Sequence, residues 1–340
     1  MSTSTADPHA DQDTTVDRAR RRLLAAGSAL PFLAPGILSA QSYPDHPVRL
    51  TVGFPPGTGP DTVARVLGQK LAEILKQSVV VDNRAGAGGQ IAVQAVATSQ
   101  PDGYNLLLAE VGSISIAPAA FSKLSYDPGR DLVAVSEVAR SDFLLVVPNR
   151  SPSKTVADFV TAAKARTDRT NFATFGAGTP GHFGAELFAT EGGFKIEPIH
   201  YRSTGDAVSA IVAGDVEGTF VSIALGSAQA KGGKMRALAT TATERTPLLP
   251  DVPTFTEAGM PKVDFAAWFA IFVPAKTPGA VADPLERALL AAARDPQVVQ
   301  KLAEAGLRGT GTSRSETGKM VKDETQRWAA IVKATGFKGD

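Results

Sequence analysis

The chain has 340 residues, a formal net charge of +1, 43% hydrophobic and 20% charged residues, and no cysteine. At roughly 150 residues per domain, the length suggests two domains with ample room for a core. The charge balance gives no electrostatic footing for nucleic acid, and the missing thiols exclude disulfides, thiolate catalysis, zinc fingers and iron–sulfur ligation.

Residues 1–40 read as an address rather than as part of the fold. A polar start, Met1 to Asp17, leads into Arg18, Arg20, Arg21 and Arg22. An apolar stretch runs from Leu23-Leu24-Ala25-Ala26 through Pro31-Phe32-Leu33 to Ile37-Leu38 and ends in Ser39-Ala40. Basic region, short apolar region and small-residue end are the three parts of an export signal, with cleavage expected near Ala40. The run is short and broken by glycine and proline, which argues against a permanent membrane span. Arg20-Arg21-Arg22-Leu23-Leu24 resembles a twin-arginine signal, with Leu23 where phenylalanine is more usual; the general secretion route stays open.

From Val48 the pattern has period two. Val48, Leu50, Val52 and Phe54 alternate with Arg49, Thr51 and Gly53, which predicts a strand. Pro55-Pro56-Gly57-Thr58-Gly59-Pro60 breaks it, and a helix begins near Asp61 with Val63, Val66, Leu67, Leu71, Ile74 and Leu75 on one face. Pro60 suits a first helical turn, where a missing N–H costs nothing. The unit repeats as strand Val79-Val80-Val81, loop Arg84–Gly89, helix Ile91 to Ala97 and strand Leu106-Leu107-Leu108. Strands and helices alternating at this spacing predict βαβ units and a parallel sheet.

A second α/β set follows. Its expected strands are Phe143 to Val147, Asn171–Phe175, Pro198–Tyr201, Val216–Ser222 and Met235–Thr240. Between them come a helix capped by Ser153 and carrying Val156, Phe159, Val160 and Ala163, then helices Phe183–Thr190 and Asp206–Val212. Ala267–Val273 is apolar and aromatic. The closing helices start at Asp295-Pro296 and at the capping box of Ser313 with Glu316.

Catalytic motifs are nearly absent. His9 lies in the leader, and His46, His182 and His200 are scattered without metal-ligand spacing. There is no HExxH, GxSxG or GxxxxGK[ST]. Ser151-Pro152-Ser153-Lys154 matches SxxK but lacks its companion motifs and reads as a helix start. Gly86-Ala87-Gly88 opens like a dinucleotide fingerprint, yet Ile91 stands where the third glycine belongs. What remains are two glycine-rich turns between strand ends and helix starts, Phe54–Asp61 and Arg84–Gly89. A helix start offers unpaired N–H groups and the positive end of its dipole. Glycine lets a ligand approach that backbone closely. Alone, each reads as a tight turn; together on one sheet they favour a shared carboxylate or phosphate pocket without a fixed cation.

Several stretches in order carry a family likeness. They are Tyr43-Pro44-Asp45-His46-Pro47-Val48-Arg49, Phe54-Pro55-Pro56-Gly57, Asn83-Arg84-Ala85-Gly86-Ala87-Gly88-Gly89, Pro101-Asp102-Gly103-Tyr104 and Leu124-Ser125-Tyr126-Asp127-Pro128. Lys234-Met235-Arg236-Ala237-Leu238-Ala239 and Leu249-Pro250-Asp251-Val252-Pro253-Thr254 with Glu257-Ala258-Gly259 complete the set. From Tyr43 to the C-terminus the chain resembles the Bug (TctC-like) extracytoplasmic solute receptors of tripartite tricarboxylate transporters. The resemblance implies an α/β periplasmic binding protein (type II-like) with a ligand cleft between two α/β domains. One would be discontinuous, 43–143 with 267–340, and the other 144–266. It also implies a monomeric, non-enzymatic receptor without cofactor or metal, which binds a small carboxylate in the periplasm and hands it to membrane permease subunits.

Carried over residue by residue, the resemblance places Phe54, Pro56, Gly57, Thr58 and Asp61 in the first ligand loop, where Thr58 and Pro60 depart from the common FPPGGGTD form. Pro60 removes a donor and a hydroxyl there. In the second loop Ala87, Gly88 and Gly89 are expected to present their N–H groups, with Ala85 in place of the usual proline; Ser113 is a further candidate contact. In the second domain, Gly178-Thr179-Pro180-Gly181-His182 resembles the family's GTSQH turn. Thr179 reads either as a hydroxyl donor or as a plain helix cap, and His182 either as a ligand contact or as a packed, capping histidine. Arg202 reads as a partner for a distal carboxylate or as a solvated surface residue. Val221-Ser222 stands where many relatives carry Asp-Asn, which argues against a ligand with an ammonium group and leaves Ser222 as a contact. Trp268, with Phe269, reads as the cleft floor or as core. Two rivals stay open: an enzyme acting on an organic acid, and a sensor signalling through a membrane kinase.

Overall fold

The computed structural model describes residues 1–3, 43–201 and 203–339. The export signal and Arg202 lie outside the described residues. Tyr43–Asp340 forms one compact unit.

The alternating residues after Pro47 form strand β1 (Val48–Val52), whose Val48, Leu50 and Val52 are fully buried. Helix α1 (Gly59–Leu75) follows with Pro60 in its first turn, then β2 (Val79–Asn83), α2 (Gln90–Ala97) and β3 (Asn105–Glu110). β1 pairs in parallel with both β2 and β3, as βαβ crossovers require. β3 then runs into a π-helical turn, Gly112–Ile116.

β4 (Leu132–Pro148) is 17 residues long, far beyond the expected Phe143–Val147. Ser136, Glu137, Arg140, Ser141 and Asp142 break its apolar pattern; Ser141 lines a cavity and the other four find partners in the fold. Ser136 Oγ donates to Thr312 O at 2.8 Å, Arg140 pairs with Glu137, and Arg308 lies 3.4 Å from Asp142. The second set adds α3 (Val156–Lys164), β5 (Thr170–Thr174), α4 (Pro180–Gly192), β6 (Ile196–His200), α5 (Thr204–Ala213), β7 (Gly218–Ser222), α6 (Ile223–Lys231) and β8 (Met235–Thr240). Thr155, not Ser153, caps α3. Its side chain accepts from the Asp158 N–H while Asp158 returns the bond, a capping box that Ser153, with Val156 three residues on, cannot form.

β9 (Ala266–Pro274) is buried along its whole length and inserts between β3 and β4, antiparallel to both. The sheet is therefore mixed, with order β2-β1-β3-β9-β4-β7-β5-β6, and not parallel throughout. β9 follows an irregular stretch with no crossover helix, so nothing forces it parallel to its neighbours. β4 pairs with β9 as far as Asp142 and with β7 from Phe143 onward, so one strand serves both halves of the sheet. Helices α7 (Gly279–Ala293), α8 (Pro296–Glu304) and α9 (Arg314–Thr335) close the chain, with β10 (Arg308–Gly309) on β4.

Candidate ligand-binding site

The first glycine turn is organised from inside by Asp61. Its buried carboxylate accepts from the Gly57 N–H at 2.9 Å, from Arg65 Nε at 2.9 Å and from Asn83 Nδ2 at 2.9 Å. Burial alone would push this carboxyl up; the bonds from Arg65, Gly57 and Asn83 outweigh that and hold its pKa at about 2. Asp61, expected among ligand contacts, is thus the brace of the turn, and the Gly57 N–H is spent on it. Thr58 is the N-cap residue of α1, but its hydroxyl donates back to Pro55 O at 2.7 Å and caps nothing. The first amides of α1, at Gly59 and Asp61, therefore have no capping side chain. Pro56 is exposed beside them.

Asn83 ties the second turn to the first, since its Nδ2 also donates to Phe54 O at 3.0 Å. Ala87, Gly88 and Gly89 take φ of 47°, 62° and 90°, a left-handed run that only glycine adopts freely. The Gly89 N–H donates to Gly86 O at 2.9 Å, which corrects the expectation that all three amides face a ligand. The amides of Ala87 and Gly88 remain. The two turns touch: a Cβ on Gly53 would lie 2.6 Å from Gly89 Cα. A Cβ on Gly89 would meet the Phe54 ring at 3.4 Å and Ser113 at 3.6 Å. Ser113 is buried, and its hydroxyl donates to Glu110 O at 3.3 Å.

In the second half, Thr179 is the N-cap of α4. Its hydroxyl accepts from the His182 N–H at 3.3 Å and donates to Gly176 O at 2.9 Å, the plain capping arrangement. His182 is buried against Phe183, Phe337 and His200, and its Nδ1 accepts from the Gly178 N–H at 3.2 Å. The packed, capping reading therefore describes it. Burial first, and His200 second, press its pKa down to about 4, so the ring is neutral at pH 7 with its proton on Nε2. Trp268 is fully buried and turned into the core, whereas its strand neighbours Ala267 and Phe269 face the other side.

Those two residues line a cavity of about 380 Å³ that draws on both halves of the sheet. On one side stand Gly57 and Gly59 at the start of α1. Opposite are Ser222 and Ala224 at the start of α6, with Ser222 as N-cap accepting from the Leu225 N–H at 3.4 Å. Two helix N-termini thus border one space whose lining carries no lysine or arginine, a setting suited to an anion. A larger cavity, about 590 Å³ between Pro128 and Gln326, touches neither glycine turn. Glu110 and Ser141 also line the cleft and were not singled out from the sequence. Glu110 falls two residues past the expected strand Leu106-Leu107-Leu108. Gly112, two residues on, is the one hint that its side chain folds back. Among the described residues no cluster of His, Asp and Glu is placed to hold a metal ion, and no helix is long and apolar enough to cross a membrane.

Residues 63–337 match the TctC family, described as "Tripartite tricarboxylate transporter family receptor". Protein BugT of Bordetella pertussis is 33% identical over 317 residues, covering 93% of this chain and 95% of that one. Among solved structures, an R. palustris protein with adipate is 30% identical over 87% of this chain and 99% of its own, with TM-score 0.76. MatC from Rhodopseudomonas palustris with bound malate is 30% identical over 85% of this chain and 100% of its own, with TM-score 0.72. The chain belongs to the TctC family of receptors and has the α/β fold of periplasmic binding proteins. It is a solute-binding receptor.

Proposed function

We propose that the solute is a small carboxylate, held in the cavity between the N-termini of α1 and α6. The observation that carries this is the convergence of two helix starts, one from each half of the sheet, on a space without a fixed cation. One carboxylate of the ligand faces the amides of Gly59 and Asp61, and the Ser222 end of α6 closes on it from the other half. Malate and adipate in two relatives fit this chemistry. The domains on this reading are 43–143 with 267–340, and 144–266; the change of partner along β4 at Asp142–Phe143 supports a boundary there. The monomeric receptor works in the periplasm after cleavage near Ala40, without enzymatic activity, and passes its ligand to permease subunits.

A thermal-shift panel of carboxylates, sugars and amino acids tests the ligand class. A carboxylate at about 100 times its Kd adds about 2.7 kcal/mol of stability. Stabilisation confined to neutral sugars or basic amino acids would sink the proposal. Mass spectrometry of the periplasmic form tests export, because a product retaining Arg20–Arg22 contradicts cleavage.

A further inference from the structure

Glu110 ends β3 opposite Phe269 of β9, and both side chains line the cavity that α1 and α6 border. Its carboxylate folds back over the chain: a Cβ on Gly112 would lie 2.9 Å from Glu110 Oε1, so the carboxylate rests against the Gly112 backbone. Ser113 fixes the Glu110 backbone carbonyl, yet neither carboxylate oxygen has a hydrogen bond or cation among the described residues. A half-buried acid without a partner, in a space suited to an anion, demands a reason, because its charge would repel the guest.

The ionisable groups on the surrounding elements are already engaged. On α1, Asp61 holds Arg65; beside β1, Asp82 holds Arg49 and Arg84. Asp142 of β4 is paired with Arg308, and Glu304 at the end of α8 accepts from Gln300. β9, α2, the Gly112–Ile116 turn and the first turns of α6 carry no ionisable side chain. Burial is the single cause of the upward shift that brings the Glu110 carboxyl to about 7.

We propose that Glu110 is a specificity residue which enters the complex protonated, so that the receptor takes up one proton together with its anionic ligand. This rests on the cleft reading above. Two carboxylates side by side in one cavity cannot both stay ionised at low cost, and sharing a proton turns repulsion into a hydrogen bond from Glu110 to the ligand. A ligand with only neutral hydroxyls gains nothing from that proton.

The experiment is isothermal titration of malate, adipate and benzoate into the full mature chain at pH 6.5, 7.5 and 8.5, in two buffers of different ionisation enthalpy, for wild type and Glu110→Gln. With Kd rising as 1 + 10^(pH − pKa) and the free carboxyl near 7, wild-type Kd weakens about 25-fold across that range, with proton uptake approaching one per ligand at pH 8.5. Glu110→Gln keeps a donor without the titration, so its Kd stays flat and is tighter than wild type at pH 8.5. Unfolding of the ligand-free proteins gives a second reading. A raised carboxyl contributes stability below its unfolded pKa that is lost as pH rises through the folded one, so wild type falls behind Glu110→Gln between about pH 5 and 8. Binding without a pH slope, a slope that persists in Glu110→Gln, or weaker binding by that variant at pH 8.5 would overturn the role of Glu110 alone. If none of the three carboxylates binds at pH 6.5, the cleft reading and this one fall together.

Discussion

The carboxylate of Asp61 gathers donors from three stretches of chain: the Gly57 amide, the Arg65 side chain one helical turn on, and Asn83 at the end of the neighbouring strand. Because Asn83 also holds Phe54 O, losing the charge at 61 loosens both glycine turns at once. Asp61→Asn keeps the shape but turns charge-assisted bonds into neutral ones and sets an NH₂ against donors. A loss of about 1–3 kcal/mol in urea unfolding at pH 7 is expected. The sign of the pH dependence follows from a folded-state pKa held below the unfolded value. The stabilisation is complete above the unfolded pKa and drains away as pH falls through the folded one, so the gap between wild type and variant narrows from about pH 5 toward pH 2. Equal stabilities at pH 7 would show that the turn does not depend on this anion. The motif Asn83–Gly89 and the loop Phe54–Asp61 are legible in the sequence as places. Which of their amides are already spent is not legible, because that depends on where a side chain four residues away points.

At the scale of elements, local rules read well wherever the determinant is local. Period-two and period-3.6 patterns find β1, α1, β2 and α2, and the pairing of Ser313 with Glu316 finds the start of α9. The same rule applied to Thr155 and Asp158 places the start of α3, two residues beyond Ser153. Long-range pairing escapes such rules. β4 has a polar middle whose partners come from far along the chain: Thr312 for Ser136, Thr317 for the Glu137 amide and Arg308 for Asp142. β9 is visible as an apolar run, but neither its position between β3 and β4 nor its direction is written in its own residues. These two strands matter most to the site, since Ser141, Ala267 and Phe269 put its walls in place. Trp268 illustrates the same limit. Strand alternation says that it and Phe269 face opposite ways, but only the neighbouring strands and helices decide which of the two meets the cavity.

Across the whole unit, the two helix starts at the cavity follow strands on opposite sides of β4: α1 follows β1, and α6 follows β7. β4 runs through both regions as one continuous strand, so the halves are joined by backbone while their helix starts remain separate partners for a guest. The first amides of a helix lack intrahelical acceptors and exchange readily with solvent unless a cap or ligand engages them. Thr58 does not cap α1 through its side chain, and Ser222 serves only the Leu225 amide of α6. A ligand seated between them must therefore slow exchange at Gly59 and Asp61 and at Ile223 and Ala224 together. Hydrogen-exchange mass spectrometry with a carboxylate that raises the unfolding midpoint, at about 100 times its Kd, should slow both regions by up to about 100-fold. On the proposed cleft reading, protection is expected in both regions at once, because one ligand bridges the two halves. Protection confined to residues 57–61, with 222–225 unchanged, would place the ligand on one half alone and remove the basis for a closing cleft.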